Sequence, residues 1–104
     1  MAEVMTITNE NFETEVLKSN EPVLIDFWAE WCGPCQTFIT IIHSYAEKAQ
    51  GVKVGKINVD ENRELAKQYR IMSIPTVMLF QNGEPVKRHS GVLMEDELKE
   101  WVEA

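Results

Sequence analysis

The sequence predicts a single α/β domain over residues 1–104. Val23–Ala29 is a near-continuous apolar run, the pattern of a strand buried on both faces. An amphipathic stretch after Cys35 and a β-branched run over 52–59 follow it, and this strand, helix and strand predict a parallel pair joined by a right-handed crossover. Asn82-Gly83, between two later strand-like runs, predicts a tight hairpin. With 44% apolar residues the chain can bury one core.

The beginning of the chain predicts a strand and then a helix. Val4–Ile7 is the strand, and Thr8 or Asn9 is placed to cap a helix that ends near Ser19-Asn20. The buried strand Val23–Ala29 follows. After the cysteines, a one-sided apolar stripe predicts a long helix that stops at Gly51, with inward positions Phe38, Ile41, Ile42, Tyr45, Ala46 and Ala49.

The second half of the chain continues the alternation of strands and helices. Val52–Val59 is a strand, and Asp60 or Asn62 caps a short helix that turns Leu65 and Tyr69 inward. The hairpin strands and the last helix complete the order βαβαβαββα; they are Thr76–Phe80, Val86–Ser90 and an amphipathic segment with Leu98, Trp101 and Val102 on one face.

Composition limits the classes of partner. The formal net charge of −7 opposes binding to nucleic acid and to anionic membrane surfaces. No apolar run approaches the roughly 20 residues of a membrane span, and no charged start followed by an apolar stretch predicts a secretory leader. We therefore expect a cytoplasmic protein whose partners are proteins or small molecules.

The motif Trp31-Cys32-Gly33-Pro34-Cys35 contains the only two cysteines of the chain. Residues three apart on a helix have Cβ atoms about 5–6 Å apart, close to the roughly 3.5–4.5 Å of a disulfide, so this pair can open and close without refolding. Pro34 favours the first helical turn, and the helix N-terminus stabilises a thiolate. We expect Cys32 to be exposed and to attack a substrate disulfide, and Cys35, a turn further in, to resolve the mixed disulfide.

Two alternatives for the cysteine pair are a structural zinc site and an inert disulfide. Zinc needs two further ligands, but there is no third cysteine, and His43 and His89 have no recognisable ligand spacing. A purely structural disulfide that closes so small a loop removes little chain entropy. Neither a metal nor a bound cofactor is expected.

A set of motifs occurs in a characteristic register along nearly the whole chain: Asp26-Phe27-Trp28-Ala29, Trp31 to Cys35, Lys56, Asp60, Ile74-Pro75-Thr76, Asn82-Gly83 and Gly91. In these residues the sequence resembles the thioredoxin family. The resemblance implies the thioredoxin fold, a five-stranded mixed sheet in the order 1-3-2-4-5 flanked by four helices. It also implies a monomeric protein-disulfide reductase whose redox-active pair receives electrons from NADPH through a flavoprotein, thioredoxin reductase.

The resemblance further implies roles for two charged residues. Asp26 interrupts an apolar strand on the face of Leu24 and Trp28, and it would accept the proton of Cys35, directly or through water. A buried acid satisfied by local hydrogen bonds is the alternative. Lys56 would modulate the charge of Asp26. The alternatives are a lysine on an edge strand of the sheet and a lysine whose ammonium group extends to solvent.

Substrate docking is implied for residues around Pro75. Base rates for proline favour a trans bond, whereas the resemblance implies a cis bond that faces the cysteines. The Ile74 backbone would then pair with an extended substrate segment, surrounded by apolar side chains near Cys32. Gly33 and Pro34 would lie beside the sulfurs. The docking residues are Trp31, Met72, Ile74, Pro75, Gly91 and Val92.

Three positions depart from the family pattern. Gln36 replaces a frequent lysine just beyond the cysteine motif. Thr40 stands where most members have a helix-kinking proline, so we expect a straighter helix. Met94 stands where a serine or threonine commonly caps the last helix.

A dithiol oxidase or isomerase usually has a histidine between its cysteines, and Gly33-Pro34 argues against that class. A binding subunit that works without turnover remains open.

Overall fold

A five-stranded mixed sheet organises the structure, a computed structural model that describes residues 3–104. The strands are β1 (Val4–Thr6), β2 (Val23–Trp28), β3 (Lys53–Asn58), β4 (Thr76–Gln81) and β5 (Glu84–Ser90). They lie in the order β1-β3-β2-β4-β5. Strands β1, β3 and β2 are parallel to one another, β4 is antiparallel to β2, and β5 is antiparallel to β4. This arrangement confirms the predicted fold and strand order.

Four helices cover the two faces of the sheet. They are a short helix of π type (Glu13–Leu17), α1 (Gly33–Lys48), α2 (Arg63–Gln68) and α3 (Glu95–Glu103). Because side chains alternate along a strand, β2 and β4 contribute to a core on each face. One core joins the sheet to α1 and α3 through Leu24, Phe38, Ile42, Leu79 and Leu98, and the other joins it to the π-type helix and α2 through Val16, Ile25, Phe27, Leu65 and Phe80.

The first helix begins at Glu13, later than the predicted cap at Thr8 or Asn9. The reason is a turn closed by Asn11, whose Oδ1 accepts the Thr8 backbone N–H at 2.7 Å. Asparagine side chains commonly compete with helical backbone bonding in this way. The predicted capping residues therefore belong to the turn before the helix.

Asn62 occupies the predicted N-cap position of α2, but its side chain bonds elsewhere. Its Oδ1 accepts the Asn9 N–H at 2.9 Å, and its Nδ2 donates to the Asn58 carbonyl at 3.0 Å. The side chain thus ties the N-terminal turn to the end of β3. Leu65 is buried and Tyr69 is half-buried, as the sequence pattern predicts.

Helix α1 continues without a break through Thr40. Threonine has the backbone N–H that proline would lack, so the interior hydrogen bond is available there. The helix ends where Ala49 becomes extended, just before Gly51 with its positive φ of 74°. That α1 is straighter than the matching helix of the family it resembles remains a prediction.

Met94 is the N-cap residue of α3, with extended backbone angles of φ −70° and ψ 163°. Its backbone N–H donates to Glu97 Oε1 at 2.9 Å, which supplies one half of a capping box. Its side chain is 61% exposed, so little packing depends on it.

We predict that Met94→Ser stabilises the protein by roughly 0.5–2 kcal/mol, because a serine hydroxyl can accept the free N–H of Glu97 and complete the capping box. Urea unfolding of the oxidised protein measures the change. Met94→Ala is the matched control, since it removes the same side chain without adding an acceptor. Equal stability of the serine and alanine variants would contradict the capping argument.

Candidate active site

The two cysteines lie where β2 passes into α1. Cys32 is the N-cap residue of α1 and Cys35 lies in its first turn, and the two form a disulfide with Cα atoms 5.3 Å apart. The Cys35 backbone N–H donates to Cys32 Sγ at 3.2 Å. Sulfur thus takes the position that an oxygen holds in an ordinary N-cap, so a thiolate there would receive a hydrogen bond and the field of the helix.

Cys32 is only 5% exposed and Cys35 is 1% exposed, so the expectation of an exposed Cys32 is wrong. The reason is a small apolar cluster in which Trp28, Ala29, Val59 and Ile74 pack against the pair. Gly33 and Pro34 beside it are exposed. Of the two cysteines, Cys32 is therefore the more accessible, at the exposed rim that Gly33 and Pro34 form.

The segment before β4 lies directly against the disulfide. The Ile74–Pro75 bond is cis, the isomer that the resemblance implies, and the Ile74 carbonyl oxygen is 3.8 Å from Cys32 Sγ. The Pro75 carbonyl accepts the Gly91 N–H at 2.8 Å, which brings the Gly91-Val92 loop alongside. Within residues 3–104 the Ile74 N–H has no hydrogen-bond partner, so it is free to pair with another chain.

Asp26 is completely buried in the middle of β2, on the face covered by α1. Neither carboxylate oxygen has a hydrogen-bond partner among the described residues, so the alternative of an acid satisfied by local bonds is wrong. Burial raises the pKa of Asp26 from 3.8 to about 7, and the charge of Lys56 opposes part of that rise. A carboxyl with a pKa near neutrality can both accept and return a proton.

The family model described as Thioredoxin matches residues 3–104. This chain belongs to the thioredoxin family. It is 50% identical over 97 residues to thioredoxin of Rickettsia bellii, covering 92% of each chain, and 46% identical over 100 residues to thioredoxin of Rickettsia prowazekii, covering 95% of each. Thioredoxin of Mycobacterium tuberculosis is 48% identical over 86 residues, which are 82% of this chain and 74% of that protein. The protein is accordingly a thiol-disulfide oxidoreductase that carries a redox-active disulfide.

Lys56 lies beside Asp26 in the sheet. The register of β2 and β3 pairs the two residues, and β1 pairs with the other side of β3, so the edge-lysine alternative is wrong. The Lys56 ammonium lies 5.6 Å from the centre of the Trp28 ring, within the range of a cation–π interaction. Lys56 is half-buried and is positioned to act on the charge of Asp26.

An exposed apolar surface surrounds the dithiol. Trp31 is 71% exposed, Met72 is 91% exposed and Val92 is 37% exposed, while Ile74 is half-buried between them. The Trp31 Nε1 donates to Asp60 Oδ2 at 2.7 Å and so holds the ring over the groove. Val59, Ile71 and Ser73 also line this groove. Sequence patterns predicted neither these three lining residues nor the Trp31–Asp60 bond, because the contacts join residues far apart in the chain.

Residues 3–104 lack both a metal-binding cluster and a membrane-spanning helix. They contain no group of three or more histidine, cysteine, aspartate or glutamate side chains that could hold a metal ion. Within the same residues, every helix is too short or too polar to cross a bilayer.

We predict that Asp26→Ala is more stable than the parent above pH 7 and that its advantage disappears toward pH 4. Between pH 3.8 and about 7 the unfolded chain loses the Asp26 proton while the folded protein keeps it, so parental stability falls as pH rises. Above that range the folded parent bears the full free-energy cost of ionising the buried Asp26 carboxyl, about 4 kcal/mol. Urea unfolding at several pH values should show the variant gaining about 2–3 kcal/mol on the parent between pH 5 and pH 8.

The pH dependence separates charge from packing, because the cavity left by alanine costs the same at every pH. Lys56→Met is a second control. Removing that cation should raise the folded-state pKa of Asp26 further, so the loss of parental stability should begin at the same pH but continue to higher pH. A stability difference between Asp26→Ala and the parent that does not change with pH would refute the buried-charge argument.

Proposed function

We propose that this protein is a general reductase of protein disulfides. The observation that carries the proposal is the Cys32 sulfur at the N-cap of α1, with the Cys35 N–H directed at it. In the reduced protein this arrangement favours a Cys32 thiolate, the attacking species in disulfide exchange. Gly33-Pro34 between the cysteines offers no histidine to stabilise the thiolate further, which favours a reductant over an oxidase.

The reaction proceeds in two exchanges. Cys32 Sγ attacks one sulfur of the substrate disulfide, a bond forms between them, and the other substrate sulfur leaves as a thiolate that takes up a proton. Asp26 then accepts the Cys35 proton, directly or through water, and Cys35 Sγ attacks Cys32 Sγ. The Cys32–substrate bond breaks and the second substrate sulfur leaves. Two electrons have passed to the substrate, and the protein holds the Cys32–Cys35 disulfide.

The other site residues support these exchanges. Lys56 modulates the charge of Asp26 from the neighbouring strand. Gly33 and Pro34 provide the first turn of α1 and an exposed rim over which a substrate can approach. Docking uses the apolar surface and the free Ile74 backbone, where an extended substrate can add as a strand. The docking residues are Trp31, Met72, Ile74, Pro75, Gly91 and Val92.

Regeneration requires an external source of electrons, since the protein carries only its own dithiol. We propose thioredoxin reductase, a flavoprotein that uses NADPH, as the donor. The proposal rests on the family relationship. A dithiol that must be kept reduced suits the cytoplasm, where thiols are maintained in that state. A monomeric single domain is sufficient, because one chain carries both cysteines and the docking surface.

We predict that Cys35→Ser accumulates stable mixed disulfides with substrate proteins through Cys32, because the attacking thiol remains and the resolving thiol is absent. Mass spectrometry of the complexes identifies the linked cysteine. Cys32→Ser is the matched control and should trap none, since Cys35 is more deeply buried. Equal trapping by the two variants would reverse or remove the assigned roles.

A further inference from the structure

Arg88, on the edge strand β5, reaches the end of α2. Its Nη2 donates to the Tyr69 carbonyl at 2.8 Å and to the Arg70 carbonyl at 3.1 Å. These carbonyl groups immediately precede residues 71–75, the docking segment that ends in the cis Ile74–Pro75 bond. Carbonyls at a helix C-terminus need partners from outside the helix, and a cation is favoured there.

The turn that Arg88 holds is a strained one. Arg70 has a positive φ of 53°, in the left-handed region where glycine is usual. Its N–H donates to the Lys67 carbonyl at 3.1 Å, and the Ile71 N–H donates to the Ala66 carbonyl at 2.9 Å, which is the bonding pattern of a Schellman motif. A residue with a Cβ in this conformation requires support from its surroundings. Arg88 supplies that support from the neighbouring sheet edge.

The other end of the docking segment is tied to β5 as well. Gly91, just beyond β5, donates its N–H to the Pro75 carbonyl at 2.8 Å. The Thr76 hydroxyl donates to the Ser73 carbonyl at 2.6 Å and lies 3.2 Å from the Ser90 hydroxyl. Between the two anchored ends, Met72 is almost fully exposed. Strand β5 therefore holds both ends of a segment whose middle faces the partner.

We infer that Arg88 is a positioning residue for protein substrates, holding the turn at Tyr69-Arg70 so that the Ile74 backbone is presented in a fixed direction. The inference rests on the proposed docking of substrates at Ile74. A segment fixed in advance loses less conformational freedom when a substrate strand binds, so the benefit appears as affinity. Arg88 contacts neither sulfur, and the exchange of electrons does not depend on it.

The neighbouring residue provides a matched control. Lys87 Nζ donates to the Trp101 carbonyl at 2.7 Å and to the Ala104 carbonyl at 3.0 Å, so it makes the same kind of contact at the end of α3. Side chains alternate along a strand, and Lys87 accordingly reaches the other face of the sheet. Lys87→Met removes one positive charge and two carbonyl contacts from β5, as Arg88→Met does, without touching the docking segment.

The experiment compares Arg88→Met, Lys87→Met and Met72→Asp in single-turnover reactions of the reduced protein, followed by tryptophan fluorescence. Insulin serves as the protein disulfide and 5,5′-dithiobis(2-nitrobenzoic acid) as a small disulfide that needs no strand docking. Arg88→Met should raise the half-saturating insulin concentration about three- to tenfold, the effect expected from losing one or two hydrogen bonds. Its limiting rate and its rate with the small disulfide should match those of the parent. Lys87→Met should match the parent throughout.

Met72→Asp separates the inference from the docking proposal, because it puts a charge on the exposed surface without altering the Arg88 contacts. If Met72→Asp weakens insulin binding but Arg88→Met does not, the inference is overturned and docking at this surface stands. If neither variant changes insulin saturation, both are overturned. An equal loss with insulin and the small disulfide in Arg88→Met would also overturn the inference, since the dithiol itself would then be disturbed.

Amide hydrogen exchange gives an independent measurement on the folded proteins. Exchange at Ile71 should be faster in Arg88→Met than in Lys87→Met, because only the first variant loosens the turn that protects this N–H. Equal protection of Ile71 in the two variants would overturn the inference.

Discussion

Strand β2 has a partner strand on each edge and a hydrophobic layer on each face. Its backbone therefore cannot shift without breaking hydrogen bonds to a neighbouring strand or disturbing the packing of a core. Leu24, Ile25 and Phe27 are all fully buried along it. The place of every reactive group follows from this constraint. The end of β2 leads to Cys32 at the start of α1, and the antiparallel neighbour β4 begins beside that end, where the preceding Ile74 carbonyl lies against the Cys32 sulfur.

The same burial gives the chain an acid that is costly to ionise. A carboxyl is placed in a strand interior where apolar residues would fold more stably, and it receives no hydrogen bond from the protein that would favour its charged form. Lys56 offsets only part of the penalty, from the neighbouring strand. The loss of stability thus accompanies a buried carboxyl whose pKa is raised to about 7.

The topology separates the buried dithiol from the exposed apolar surface beside it. Cys32, Cys35 and Asp26 lie inside the fold, whereas Trp31, Met72 and Val92 are exposed in loops. Strand β5 contacts helices on both faces of the sheet through alternating side chains, with Lys87 at the end of α3 and Arg88 at the end of α2. The turn that Arg88 contacts leads directly into residues 71–75.

Local patterns in the sequence determined the fold in considerable detail. The two-sided apolar run of β2, the stripe of α1 and the Asn82-Gly83 turn each depend on neighbouring residues, so they can be interpreted without coordinates. The prediction of helix caps was wrong where a side chain had a competing hydrogen-bond partner, either in the same turn or far along the chain. Asn11 closes a turn and moves the start of the first helix, and Asn62 bonds to Asn9 instead of capping α2.

The cysteine motif, together with the resemblance to a family, also identified the dithiol-disulfide chemistry, and the roles of the other site residues remain predictions. Only the tertiary structure decided how accessible they are and what surrounds them, because burial and hydrogen bonding depend on elements brought together from across the chain. The apolar cluster around Cys32, the unpaired carboxylate of Asp26 and the reach of Arg88 to the end of α2 are contacts of this kind. The sequence therefore determined the presence of a redox-active cysteine pair, and the packing of the sheet determined how deeply that pair is buried and which side chains surround it.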